Sequence, residues 1–379
     1  MLSRKKILAI LSGIIILGSF LRFYGLGEVS FVADEFLDMN SSYAYHKTGV
    51  WQNWDFNRGI VNVENEFAPR DERAWIYKWQ VAQLFKFLPP TEAVARSVSV
   101  GWGILSILLM FLVARDFTKK NGIGLLSAFL FAVSISGIVF DRRFRMYAMF
   151  FPVFLLLSWA TYKFLESDYR CRIGAVRKLN EKWGINIIFG VLASVLGLIS
   201  FNVHQLSINI IPVAGAYILI QAILMWRRKN ALKNKYAILS GLGILGMLGM
   251  WIIKPDLLGM FLAGLVFFEN HWNYFLIAFS DYSLILAAIL FLAAGIAYLV
   301  KSGKKNEAWW LGLSFAVPLF MAMFLWQRNV GDQYFFFAKS FLIILIASGI
   351  YASAQFLEKN LARNGKRFSL AAIIILLAL

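Results

Sequence analysis

Residues 122–147 read GIGLLSAFLFAVSISGIVFDRRFRMY. The first 19 of these carry no charged side chain, and a helix of that length rises about 30 Å, the thickness of a bilayer's hydrocarbon core. The run then breaks into an aspartate and three arginines, which lipid tails do not accept without compensation. A membrane-crossing helix ending at a water boundary is the reading, and it decides the fold class because the pattern recurs. Apolar runs of spanning length lie near residues 7–23, 96–114, 122–140, 146–165, 184–201, 205–225, 236–253, 282–300, 308–326 and 334–356. A shorter run at 368–379 stops after 12 residues and reads as a cut span or an interfacial helix. The chain is therefore expected to be an all-α polytopic membrane protein of about 10–11 transmembrane helices, residues 1–379 forming a single domain.

Composition agrees. The AVILMFWYC set makes up 60% of the chain and charged residues only 16%, too apolar for a surface that faces water. The high apolar fraction, the absence of a strict Gly period and a single cysteine, Cys171, exclude disordered, collagen-like and disulfide-scaffold classes. No small-residue cleavage site follows the first run, so it reads as a retained helix rather than a secretion signal.

The net charge of +17 would suggest nucleic acid in a soluble protein. Its distribution argues otherwise. With the N-terminus in the cytoplasm, 24 of the 38 Lys and Arg residues but only six of the 21 acidic ones fall on the inner side, the asymmetry that orients membrane helices. This predicts a multi-pass inner or plasma membrane protein with no nucleic-acid partner.

Two features on the outer side stand apart. The first loop, 24–95, collects ten acidic residues, among them the pair Asp34-Glu35, and is rich in Trp, Tyr and Phe, so it reads as a packed functional segment. Within it, residues 73–88 place Trp75, Trp79, Ala82 and Phe85 at helical spacing with Lys78 elsewhere, an amphipathic helix expected to lie on the outer leaflet. Residues 34–46 suit a second helix, which Asp34 would cap. The other feature is Asp141 to Tyr147. On a helix Arg142 and Arg145 share a face and Arg143 points about 100° away. Pairing of the three arginines with Asp141 and the acidic loop is one reading. A clamp on a lipid-borne phosphate is the other, since guanidinium matches phosphate oxygens bidentately.

The stretch 31–166 resembles the GT-C fold glycosyltransferases that use lipid-phosphate sugars, including the protein mannosyltransferase-like and aminoarabinose transferase-like families. Four elements carry the resemblance in order: Asp34-Glu35 in the first outer loop, the amphipathic segment ending at Phe85-Lys86-Phe87, Ala95-Arg96-Ser97 opening the second span, and Arg142 to Ala148 opening the fourth. Asn202-Val203-His204 and Gln333-Tyr334-Phe335 are weaker matches, with Gln333 standing where relatives carry arginine, so that phosphate contacts there would pass to Arg328 or Lys339. The resemblance covers residues 1–226, while 227–379 match mainly in hydropathy.

That resemblance implies an inverting transfer of a hexose or pentose from a polyprenyl-phosphate donor to an extracytoplasmic acceptor: protein, lipid or glycan. It makes Asp34 the general base with Glu35 orienting the acceptor, or the reverse, and makes Arg96, Arg142, Arg145 and Tyr147 the donor-phosphate ligands. His204, Glu269 and His271 are candidate acceptor or sugar contacts. Spacing around these residues matches no metal-ligand pattern, and an arginine cluster leaves a divalent cation optional. An envelope polysaccharide polymerase or ligase, and a lipid flippase or transporter, remain as alternatives. A transporter usually places ionisable groups inside its spans, which are nearly free of them here.

Overall fold

The computed structural model describes residues 3–62, 73–167, 173–226, 235–253, 271–326 and 330–363. Its elements are α1 Arg4–Phe23, α2 Ala33–Thr48, a small hairpin of β1 Asn53–Asp55 and β2 Ile60–Asn62, α3 Trp75–Leu84, α4 Glu92–Thr118, α5 Asn121–Val133, α6 Ile135–Asp141 and α7 Tyr147–Glu166. Then come α8 Gly174–Trp183, α9 Ile187–Val203, a 3-10 turn Gln205–Asn209, α10 Ile210–Trp226, α11 Lys235–Ile253, α12 Asn273–Ala278, α13 Ile285–Lys301, α14 Lys305–Phe324, α15 Asp332–Phe335 and α16 Lys339–Arg363.

Each of the ten apolar runs falls on helix. Six are long and apolar enough to cross a bilayer as single helices, and two more qualify only as bent pairs. The remaining two correspond to shorter apolar helices at the start of α11 and in α13. The run at 368–379 lies outside the described residues.

The run quoted at the outset is one of the bent pairs: α5 and α6 meet at 62° around Ser134. Ser134 is extended and its hydroxyl accepts from the Gly137 N–H, so it caps α6 and ends α5 at once. A break at this depth leaves carbonyls that lipid cannot satisfy. Arg22 of α1 meets them, donating to the carbonyls of Phe131 and Ala132 and, through Nε at 2.8 Å, to Asp141. Both side chains of this pair are fully buried. Asp141 is thus the partner of Arg22 rather than of the arginines beside it in sequence. A methyl group on Gly103 of α4 would overlap its carboxylate, so only glycine leaves room there.

The loop helices also pack more deeply than expected. In α3, Trp75 and Trp79 do face outward, but Ala82 and Phe85 are buried, and so is Lys78, which donates to Ser41 of α2. Lys78 precedes Phe85 by two turns, so helical geometry places it on the buried face. Cross-links from Trp75 Nε1 to Asn202, from Trp102 Nε1 to Gln80 and from Gln80 to Met149 fasten α3 to α9, α4 and α7. The core runs through α4, α7 and α16, with residues 335–350 all buried.

Candidate active site

The segment between α6 and α7 is not helical across residues 142–146. The helical-face argument for the arginines therefore fails, and they disperse. Arg142 is half-buried and donates to the Gly25 carbonyl. Arg143 is exposed, its guanidinium 5.9 Å from the Phe140 ring, with no carboxylate partner among the described residues. Arg145 is buried and points into the loop: Nη1 donates to Asp38 at 2.7 Å and to the Asp34 carbonyl at 2.9 Å, while Nη2 lies 3.3 Å from the Asp34 carboxylate.

These groups enclose a cavity of about 240 Å³ lined by Val32, Asp34, Phe140, Arg143, Arg145, Tyr147 and Gln333. The Asp34 side chain is 64% exposed into it. A second cavity of about 430 Å³ shares Phe140, Arg143 and Gln333 and continues along the outward face of α6 past Ile135, Ser136 and Val139 to Ser280. Asp281 accepts from both the N–H and the hydroxyl of Ser136, anchoring the start of α6, and is balanced by buried Lys339, which also donates to Ser280. Lys339 is thereby held beside the second cavity, while Arg328 lies outside the described residues.

Glu35 and Arg96 take a different position from the expected one. They form a bidentate pair at 2.8 and 2.9 Å, and Arg96 spends its other N–H groups on the carbonyls of Leu26, Val29 and Ser30. Glu35 also accepts from the Phe144 N–H at 2.6 Å and the Val32 N–H at 3.1 Å. It is Glu35, not Asp34, that reaches back to close the start of α2. Burial alone would raise its carboxyl, but hydrogen bonds from Arg96, Phe144 and Val32 hold it below its ordinary value. Neither residue lines the cavity. They form instead a strut that fixes the loop entrance to α4 and to the turn bearing Arg145.

Asp38 was not singled out by sequence reasoning, although it stands one turn after Asp34 on α2 and hence on the same face. Burial raises its carboxyl above the ordinary value, against the opposing charges of Arg145, Lys78 and Arg73. Arg73, at the turn before α3, was likewise passed over. Ala74 beside it adopts a left-handed conformation, φ 55°, uncommon for a residue with a side chain.

Tyr147 lines the cavity with its ring 5.7 Å from the Arg145 guanidinium carbon. His204 stands behind it, 5.4 Å ring to ring, and its Nδ1 accepts from the Leu206 N–H to start the 3-10 turn. His271 packs against Tyr274, donates its backbone N–H to the Met323 carbonyl and is not among the residues lining this cavity. Glu269 lies outside the described residues. Among the described residues no group of three or more His, Cys, Asp and Glu side chains converges as a metal site. Asp34 and Asp38 both face Arg145.

Comparison with solved structures places the fold among GT-C membrane glycosyltransferases. ArnT from Cupriavidus metallidurans, bound to undecaprenyl phosphate, superposes with a TM-score of 0.61 at 11% identity, covering 95% of this chain and 63% of that one. AglB, an archaeal oligosaccharyltransferase from Archaeoglobus fulgidus in complex with an inhibitory peptide and a dolichol-phosphate, gives 0.61 at 13% identity, covering 98% and 53%. The Archaeoglobus fulgidus oligosaccharyltransferase tethered to an acceptor peptide gives 0.60 at 12% identity, covering 99% and 53%. The chain thus spans less than two thirds of the length of these proteins. The model of the iron permease FTR1 family matches residues 268–372, under a third of the chain. No curated protein sequence matches.

Proposed function

We propose that the protein is a membrane glycosyltransferase that moves a sugar from a polyprenyl-phosphate donor to an acceptor hydroxyl or amine, with inversion. The observation that carries this reading is the cavity holding one accessible carboxylate, Asp34, beside two guanidinium groups and a tyrosine hydroxyl at one end of a membrane bundle. Asp34 takes the acceptor proton as the acceptor attacks the anomeric carbon. The bond from that carbon to the phosphate oxygen breaks, and the leaving phosphate keeps the electron pair. Arg143 and Arg145, with Tyr147, receive the charge that grows on it, the step where prearranged donors matter most. The exposed apolar face of α6 beside the second cavity suits the polyprenyl chain.

Relative to the sequence reading, Arg143 takes the place of Arg142 and Arg96 in phosphate binding, and Glu35 passes from the chemistry to the frame. The undecaprenyl phosphate and dolichol-phosphate bound by the fold neighbours support a lipid-phosphate ligand. The decisive experiment is mass spectrometry of envelope glycans and glycoproteins from cells with and without the gene. A missing sugar names donor and acceptor together; unchanged glycans overturn the proposal. The iron-permease match favours a second reading, cation transport by the C-terminal helices, which iron uptake into proteoliposomes tests.

A further inference from the structure

At the opposite end of α1 and α4 from Asp34, two cavities run into one another. One, about 590 Å³, is walled by Ile7, Leu8 and Leu11 of α1 and by Leu108 and Leu112 of α4, and is closed at its polar end by Arg4, Arg115 and Asn121. The other, about 370 Å³, shares Leu112, Arg115 and Asn121 and extends to Asp116 and Lys119. Leu108 and Arg115 are seven residues apart on one helix, so the apolar trough runs about 10 Å from the basic rim toward the middle of the membrane.

The charges at the rim are not balanced from within. Asp116 is taken by Lys119 at 2.5 Å and Lys163 at 2.6 Å and also accepts from Trp159 Nε1. Arg4 and Arg115 have no ion-pair partner among the described residues. A trough whose apolar end lies in hydrocarbon and whose rim offers two unopposed guanidinium groups at the headgroup level is complementary to one molecule type. We propose that it holds an anionic phospholipid of the leaflet opposite the candidate active site, the phosphodiester between Arg4 and Arg115 and an acyl chain along Leu11 and Leu108. Bidentate guanidinium contacts suit the phosphate, and an anionic headgroup supplies the net charge that a zwitterion lacks. This site stands independently of the transferase reading.

Native mass spectrometry of the full chain, delipidated in detergent and titrated with phosphatidylglycerol or phosphatidylcholine of identical acyl chains, tests it. Preferential retention of phosphatidylglycerol is expected. The double variant Arg4→Gln, Arg115→Gln should weaken that retention about 30-fold, a factor of about five for each basic group at an anionic headgroup. The pair Arg177→Gln, Lys178→Gln, which removes the same charge from α8, should leave it unchanged. Equal retention of the two lipids by the wild-type chain overturns the proposal without any variant. An equal loss in the α8 variant reduces the effect to diffuse surface charge, and full competition by soluble glycerophosphate reduces it to a headgroup site without a chain trough; either result also overturns it.

Discussion

At the scale of single residues, the site separates two carboxylates that are adjacent in sequence. Asp34 and Glu35 differ by about 100° around α2, and that rotation sends one into the cavity and the other into a buried pair with Arg96. Their substitutions should therefore differ in kind. Asp34→Asn should lower transfer by about 10² to 10⁴-fold with insertion and thermal stability retained, read as turnover by the purified enzyme once donor and acceptor are known. Glu35→Gln should instead lower stability, because removing one partner of a buried ion pair costs on the order of 3–5 kcal/mol. The pH dependence of that strut has a definite sign. Glu35 is held below its ordinary value of 4.5, so the stabilisation is fully present above that pH and is lost as pH falls through the lower folded value. Acid unfolding followed by tryptophan fluorescence should show this limb in the wild type and not in Glu35→Gln.

At the scale of elements, the critical feature is the break between α5 and α6. Arg22 replaces the helix hydrogen bonds that the break removes, and Ser134 starts the next helix. Arg22→Met should strand two carbonyls and Asp141 together and abolish stable insertion, seen as loss of the monodisperse detergent-purified protein. Ser134→Ala should cost only about 1 kcal/mol, the usual worth of a helix cap. Gly103→Ala should cost about 1–3 kcal/mol through overlap with the Asp141 carboxylate. A second interruption, the non-helical residues 142–146 after α6, brings Arg143 into the same cavity as Tyr147.

For the molecule as a whole, sidedness is the testable quantity. Arg58 on the loop hairpin and Lys119 at the far end of α4 belong to opposite ends of the bundle. In a chain with Cys171 replaced by serine, Arg58→Cys should react with an impermeant maleimide from outside intact cells, and Lys119→Cys only after permeabilisation. Reaction of both from one side would contradict a bundle that separates the carboxylate cavity from the basic trough by the width of the membrane.

Much of the fold was legible in the chain itself, because a bilayer imposes a one-dimensional rule: about twenty apolar residues, then charge. Each of the ten runs became helix, and the loop bearing Asp34 was marked by its length, acidity and aromatics. Partner choice was not legible. Arg96 against Glu35, Arg22 against Asp141 and Arg145 between Asp34 and Asp38 join residues some 60 to 120 positions apart. Helical spacing also misled wherever the helix stopped, as between Asp141 and Tyr147. Hydrophobic length is a local property and can be counted along the chain, whereas the orientation of a guanidinium depends on which carbonyls and carboxylates folding brings within reach.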